Sequence, residues 1–352
     1  MSAGTAHGDP FALDDAALTA WLSAHVEGFV GPAVSRKFAG GQSNPTYLVT
    51  SPSGRLALRR KPPGKLLKSA HMVEREYRVM KALGSVGYPV PTMRGLCEDE
   101  SVLGSVFFVM DFLDGRIFWD PALPALSREE RAGVYDAMNA GLAQLHRVDP
   151  EAVGLGDFGK AGSYFARQFA RWREQYRLSE TTPYPDMERL IGWLEKNLPP
   201  DDGRVAVVHG DWRIDNLMFA PDSTRLIGVL DWELATLGHP FADLAYQCMQ
   251  WRLPNDATFP GLGGVERAAL GLPDEAAYVA AYARRMGLGS IPDWTSHLAF
   301  AFFRLGAILQ GVGKRALDGN ASNPEKARAY GATVPVLARL AVEMIDGAGA
   351  RA

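Results

Sequence analysis

The chain has 352 residues, 47% apolar and 22% charged, with 37 basic and 40 acidic side chains and a formal net charge of −3. This composition excludes a disordered chain, and the near-balance of charge excludes wholesale nucleic-acid binding. Two cysteines, Cys97 and Cys248, exclude a disulfide framework and a four-thiolate zinc site. The length predicts two domains, or one domain in two lobes.

Nothing reads as an address. The first basic residue is Arg36, and Asp9, Asp14, Asp15 and Glu27 precede it, so neither a secretory nor a mitochondrial leader is expected. The most apolar stretch, 298–313, is interrupted by Arg304 and is shorter than the about 18 apolar residues a membrane span needs. It reads as a buried helix. A cytoplasmic protein with no membrane and no nucleic-acid partner is the expectation.

Residues 1–33 read as an N-terminal helical extension. From 34 to 113 short strands dominate. Runs at 34–39 and 46–50 flank a Gly-Gly turn, and 55–60 follows the turn Ser51-Pro52-Ser53-Gly54. Val73, Tyr77, Met80 and Leu83 recur at helical spacing and predict a helix over 70–83. Strands at 93–97 and 105–112 complete one small sheet with one crossing helix. A hinge is expected near Asp114-Gly115, and 114–352 reads as a larger, mainly helical lobe. Ser127-Arg128-Glu129-Glu130 is a capping-box pattern opening its first helix. Further helices are expected at 162–177, 187–197, 241–251, 274–286, 294–313 and 324–344. One island, 205–233, reads strand, loop, strand, turn, strand.

That island carries the chemistry. It holds His209-Gly210-Asp211-Trp212-Arg213-Ile214-Asp215-Asn216 and then Val229-Leu230-Asp231-Trp232-Glu233. Asp211 and Asn216 lie five apart on a loop after an apolar strand, and Asp231 ends a strand that a tight turn folds back. A carboxylate, an amide oxygen and a second carboxylate at strand ends suit Mg²⁺, which takes few protein ligands and shares its shell with phosphates. The remaining carboxylate can orient a hydroxyl and take its proton. D-x-x-x-x-N followed by a metal-binding Asp is the pattern of phosphoryl-transfer enzymes. Asp and Asn are also common turn residues. The preceding His-Gly, the flanking strands and the second Asp separate the two readings.

The first lobe offers what a phosphate donor needs. Gly40, Gly41, Ser43 and Asn44 sit in a loop joining two strands, where glycines permit close backbone approach. It is not a Walker A loop, since no G-K-[ST] follows. Alternation along the third strand puts Arg59 and Lys61 on one face and Arg60 on the other. Arg59, with Lys61 in reserve, is the candidate to hold the α- and β-phosphates. Glu76, near the buried stripe of the helix, is its expected acid partner. Glu74 reads as a solvated charge beside Arg78. The apolar strand over 107–112 offers backbone groups to an adenine ring near Met110 and Phe112.

With these residues the chain resembles the aminoglycoside phosphotransferase family, relatives of choline kinases and eukaryotic protein kinases. The matching stretches are 40–47, 58–59, Glu76, 109–115, 209–216, 230–233 and 238–246. The runs RRKPPGKLLKSAH (59–71) and DWELATLGHPFADLAY (231–246) resemble the kinase-like domains fused to, or encoded beside, certain acyl-CoA dehydrogenases. The resemblance implies an α+β, bilobal protein-kinase-like fold: a small antiparallel-sheet N-lobe with one helix, and a helical C-lobe. It implies ATP-dependent, Mg²⁺-dependent transfer of a phosphoryl group to a substrate hydroxyl. Asp211 would be the base, Asn216 and Asp231 the Mg²⁺ ligands, and Asp243 a helix residue bracing the loop. His209 reads as a hydrogen-bonded core residue beside them. Many relatives carry a lysine where this chain has Arg59, as choline kinases also have arginine.

The acceptor is open. An aminoglycoside site should gather many carboxylates; Glu233, Asp243 and Asp256 are available, but nothing in the sequence shows a cluster, and the association with acyl-CoA dehydrogenases favours a hydroxyacyl compound or its CoA thioester. An aminoglycoside or choline-type kinase and a nucleotide-binding pseudokinase are the alternatives. A zinc hydrolase lacks its H-E-x-x-H, and a serine hydrolase its G-x-S-x-G. The charge is unevenly placed: 55–81 carries +7 and the rest of the chain −10, a local field suited to small polyanions.

Overall fold

The computed structural model describes residues 11–38, 44–62, 72–256, 258, 260–321 and 323–349. Gly40, Gly41 and Ser43 lie outside the described residues, as does 63–71. The chain forms two compact units, Met1–Gly115 with Ile227–Glu233, and Arg116–Leu226 with Leu234–Ala352.

The first unit runs α1 (Asp15–His25), β1 (Val34–Lys37), β2 (Thr46–Ser51), β3 (Gly54–Arg60), α2 (Val73–Gly84), β4 (Met93–Cys97), α3 (Glu100–Leu103) and β5 (Phe107–Asp111). The strands make one antiparallel sheet in the order β1-β2-β3-β5-β4. Period-two burial fixes its register: Tyr47 and Val49 of β2 point into the core while Thr46 and Leu48 are half-buried. The Asp14 carboxylate caps α1 by accepting from the N–H groups of Ala16 and Ala17. Leu18, Trp21, Leu22 and Val26 of this helix region share one core with Tyr47, Leu58, Phe107 and Val109. In the segment expected as an extension, α1 is therefore part of the first unit's core. Gly95 makes this possible, because a Cβ there would stand 2.8 Å from the Trp21 ring.

The chain continues with β6 (Arg116–Ile117), α4 (Arg128–His146), α5 (Tyr164–Ser179), α6 (Pro185–Asn197), β7 (Ala206–Val208), β8 (Leu217–Phe219), β9 (Leu226–Val229), β10 (Thr236–Gly238), α7 (Phe241–Met249), α8 (Arg267–Leu270), α9 (Glu275–Arg285), α10 (Trp294–Leu317), α11 (Pro324–Gly331) and α12 (Val334–Gly349), all in the second unit except β9 from Ile227 onward. Ser127 and Glu130 close the capping box at the start of α4. β7 pairs antiparallel with β10, Val208 opposite Thr236, and the loop 209–216 leaves the end of that pair. α10 is buried through most of its length and packs on α5, α6, α7, α11 and α12. No described helix is long and apolar enough to cross a membrane.

Two boundaries differ from the expectation. The single helix expected over 324–344 is two helices, α11 and α12. Pro335 has no N–H to give the Gly331 carbonyl, and its ring would clash there. Residues 227–233, expected in the C-terminal lobe, belong to the first unit. Val229 N–H donates to the Pro89 carbonyl at 2.8 Å, and Trp232 packs edge-on against Tyr88.

Candidate functional site

In the first unit, three charges converge on the end of β3. Arg59 Nε lies 3.2 Å from Glu76 Oε1 and 3.0 Å from Oε2, and its Nη2 donates to Asp231 Oδ1 at 2.6 Å. Asn44 Nδ2 donates to the same Glu76 carboxylate at 2.8 Å. Glu76 is 1% exposed. Burial pushes its carboxyl up to about 7, against the pull of Arg59 and helped by Asp231 and Glu233. Burial works against the Arg59 charge as well, yet Glu76, Asp231 and Glu233 hold its pKa above the ordinary value. Asp231 has φ +64°, a left-handed conformation uncommon outside glycine. Strain of that kind persists where neighbours over-determine it, and Asp231 is fixed by its bond to Arg59.

The other residues expected near a nucleotide have separate partners. Lys61 Nζ is paired with Glu74 at 2.5 Å, so Glu74 meets Lys61. Arg60 turns into the interior and donates to the Leu103 carbonyl at 3.2 Å. Met110 is buried in β5 opposite Ala57 and Met93. Phe112 stacks with Phe38, and the Arg55 guanidinium lies 4.5 Å above its ring.

In the second unit the loop 209–216 is held from below. The Asp243 carboxylate accepts from the N–H of His209 at 2.6 Å and of Gly210 at 2.9 Å, and His146 Nε2 lies 3.4 Å away. His146 Nδ1 in turn meets the Tyr282 hydroxyl at 2.6 Å. Burial would push Asp243 up, but His146, His209 and the Gly210 N–H outweigh it and hold the carboxyl below its ordinary range. His209 is fully buried, and its Nδ1 accepts from the Asp211 N–H at 3.2 Å. Gly210 has φ +84°, and a Cβ there would meet the Leu234 carbonyl oxygen at 2.7 Å. Only glycine fits.

Asp211 and Asn216 meet directly. Asn216 Nδ2 donates to the Asp211 carbonyl at 2.9 Å and to its carboxylate at 3.0 Å. Arg213 Nε lies 3.3 Å from Asp211 Oδ1, and the Tyr246 hydroxyl bonds the same carboxylate. Burial opposes the Asp211 charge, but Arg213, His209, Tyr246 and Asn216 keep its pKa below the ordinary value. It is therefore an ionised carboxylate, acceptor-only. Because the Asn216 amide nitrogen is committed to Asp211, its Oδ1 is the atom left for a cation. In the first unit, Asp231 has one oxygen on Arg59, and its side chain is 37% exposed. Amide and carboxylate oxygens are both donor types that Mg²⁺ accepts beside phosphate and water. Among the described residues no group of three or more His, Cys, Asp or Glu side chains could hold a metal.

Arg213, Tyr246, His146 and Arg304 are contacts that the sequence reading did not single out for the site. Tyr246 closes a matched stretch, and Arg304 stood out as a charge in an apolar run.

The fold is of the kinase type. The family model described as "Phosphotransferase enzyme family" (APH) matches residues 35–296, and the chain belongs to that family. Acyl-CoA dehydrogenase family member 10 of Mus musculus is 48% identical over 296 residues, which are 83% of this chain and 27% of the mouse protein. The chain thus spans about a quarter of that relative. A solved structure from Ralstonia eutropha, provisionally named an aminoglycoside phosphotransferase, is 46% identical with a TM-score of 0.87, covering 96% of this chain and 99% of that one. Choline kinase from Cryptosporidium parvum shares the fold at 12% identity and a TM-score of 0.65, over 95% and 97% of the chains.

Proposed function

We propose that this phosphotransferase moves the γ-phosphoryl group of ATP, with Mg²⁺, to the hydroxyl of a hydroxyacyl compound or its CoA thioester. The observation that carries the reading is the ionised Asp211 carboxylate, bonded to Asn216 on a loop braced by Asp243. Asp211 orients the substrate hydroxyl and receives its proton as that oxygen bonds to the γ-phosphorus. The bond from phosphorus to the β,γ-bridging oxygen breaks, and ADP leaves. The transition state is loose and highly charged, so positioning and charge neutralisation supply most of the catalysis.

Asn216 and Asp231 are the proposed ligand-bearing residues for Mg²⁺, which when bound neutralises charge on the phosphates. Arg59, steered by Glu76, is the proposed phosphate cation. Lys61, Asn44 and the glycine loop with Gly40, Gly41 and Ser43 are further proposed nucleotide contacts, as are backbone groups near Met110 and Phe112. The name of the mouse relative supports an acyl acceptor and a functional link to an acyl-CoA dehydrogenase. Phosphorus NMR of mixtures with Mg·ATP and 3-hydroxybutyryl-CoA, free hydroxy acids, choline or kanamycin tests the reading. A new phosphomonoester signal with the hydroxyacyl compounds is expected. Tight ATP binding with no product from any alcohol would favour a pseudokinase.

A further inference from the structure

Between 298 and 307 α10 is apolar and buried, except for Arg304, which is 6% exposed. Among the described residues no carboxylate pairs with its guanidinium, and its Nε has no hydrogen-bond partner. An unpaired buried cation opposes folding, and an apolar side chain of similar volume would pack there at lower cost. Stability therefore does not account for this arginine.

Its contacts do. Arg304 Nη2 donates to the Gly210 carbonyl at 2.9 Å, and the guanidinium lies 5.4 Å over the Tyr246 ring. The Tyr246 hydroxyl bonds the Asp211 carboxylate. The Gly210 carbonyl belongs to the peptide that carries Asp211. That peptide is gripped at both polar ends, its oxygen by Arg304 and its N–H by His209 Nδ1. The peptide before it is gripped through the Gly210 N–H by Asp243.

We propose that Arg304 is a positioning residue for the reaction, fixing the Asp211 carboxylate through the Gly210 carbonyl and the Tyr246 ring. The inference rests on Asp211 acting as the base. Arg304 acts on the orientation of that carboxylate and touches neither substrate nor nucleotide.

The test compares Arg304→Leu, Arg304→Gln and Asp211→Asn in the full chain, with water as the phosphoryl acceptor and ADP release from Mg·ATP as the readout. Melting temperature and amide hydrogen exchange over 207–217 are measured alongside. Arg304→Leu is expected to melt at or above the wild-type temperature. Its exchange at 209–216 should rise at least about tenfold, reporting a local opening. Its kcat should fall about 10- to 100-fold, as for a misplaced group, with KM for Mg·ATP within about twofold. Arg304→Gln, which keeps a donor, should recover part of the loss, and it carries the test if the leucine variant does not fold. A folded variant with wild-type exchange at 209–216 and wild-type kcat overturns the proposal. Wild-type turnover in Asp211→Asn would instead sink the reading of Asp211 as base. Loss in Asp211→Asn alone would sink only the role of Arg304.

Discussion

The two charged clusters are built on opposite principles. In the first unit Arg59, Glu76 and Asp231 are held by ion pairs between side chains, one of them from a residue in a strained backbone conformation. In the second unit Asp211 stands on a loop whose peptides are bonded to buried side chains, Asp243, His209 and Arg304. Side-chain ion pairs can be exchanged for ligand charges at modest cost. Backbone bonds to buried partners cannot be broken without local unfolding, since each orphaned group loses its solvation too. The first arrangement suits a site that trades an internal partner for a phosphate or a cation. The second suits a group whose position must not change during the reaction.

Substitutions can break that comparison at either end. The largest expected effect is at the fixed cluster. Asp211→Asn should lower turnover by about 10²- to 10⁴-fold, in line with loss of a positioned base, while Mg·ATP still binds. Steady-state kinetics beside calorimetry decides; retained turnover removes Asp211 from the chemistry. At the exchangeable cluster, Asp231→Ala should weaken Mg·ATP binding at least about tenfold, or about 1.4 kcal/mol, without lowering stability much. It does not relieve the left-handed backbone at this position, since alanine is no better suited to that φ than aspartate.

The same contrast extends to stability. Asp243→Ala leaves the His209 and Gly210 N–H groups buried without an acceptor and should cost about 3 kcal/mol in urea unfolding. A cost near zero would mean the loop is held by something else. Glu76 gives the smallest effect and a distinct sign. Its folded-state pKa, about 7, lies above its ordinary value, so the folded protein binds the proton more tightly than the unfolded chain. Stability from this group is greatest below the ordinary carboxylate range and falls as pH rises towards about 7. Glu76→Gln should therefore lose less stability than the wild type between about pH 5 and about pH 8. An identical slope would show that Glu76 is already ionised throughout.

Local rules made much of the fold legible. The period-two strands of the sheet, the helix stripe around Met80 and the Ser127–Glu130 capping box all act within a few residues. The break between α11 and α12 is marked in the sequence too, by Pro335 four positions after Gly331. What could not be read depends on distance along the chain. Trp21 finds its place on Gly95, and 227–233 joins the first unit through Pro89 and Tyr88. Of the site, Asp211, Asn216 and Asp231 announce themselves by spacing. Arg304 is 94 positions from the Gly210 oxygen that it binds, and His146 is 97 from Asp243. No sequence period links such pairs; the only trace is a charge standing where an apolar run predicts none.

The most direct check of a division between an exchangeable and a fixed cluster is calorimetric titration of Mg·ATP into the wild type, Asp231→Ala and Asp211→Asn. The account predicts affinity within about twofold of wild type for Asp211→Asn and a loss of at least about tenfold for Asp231→Ala. Unchanged affinity in Asp231→Ala, or a comparable loss in both variants, would contradict it.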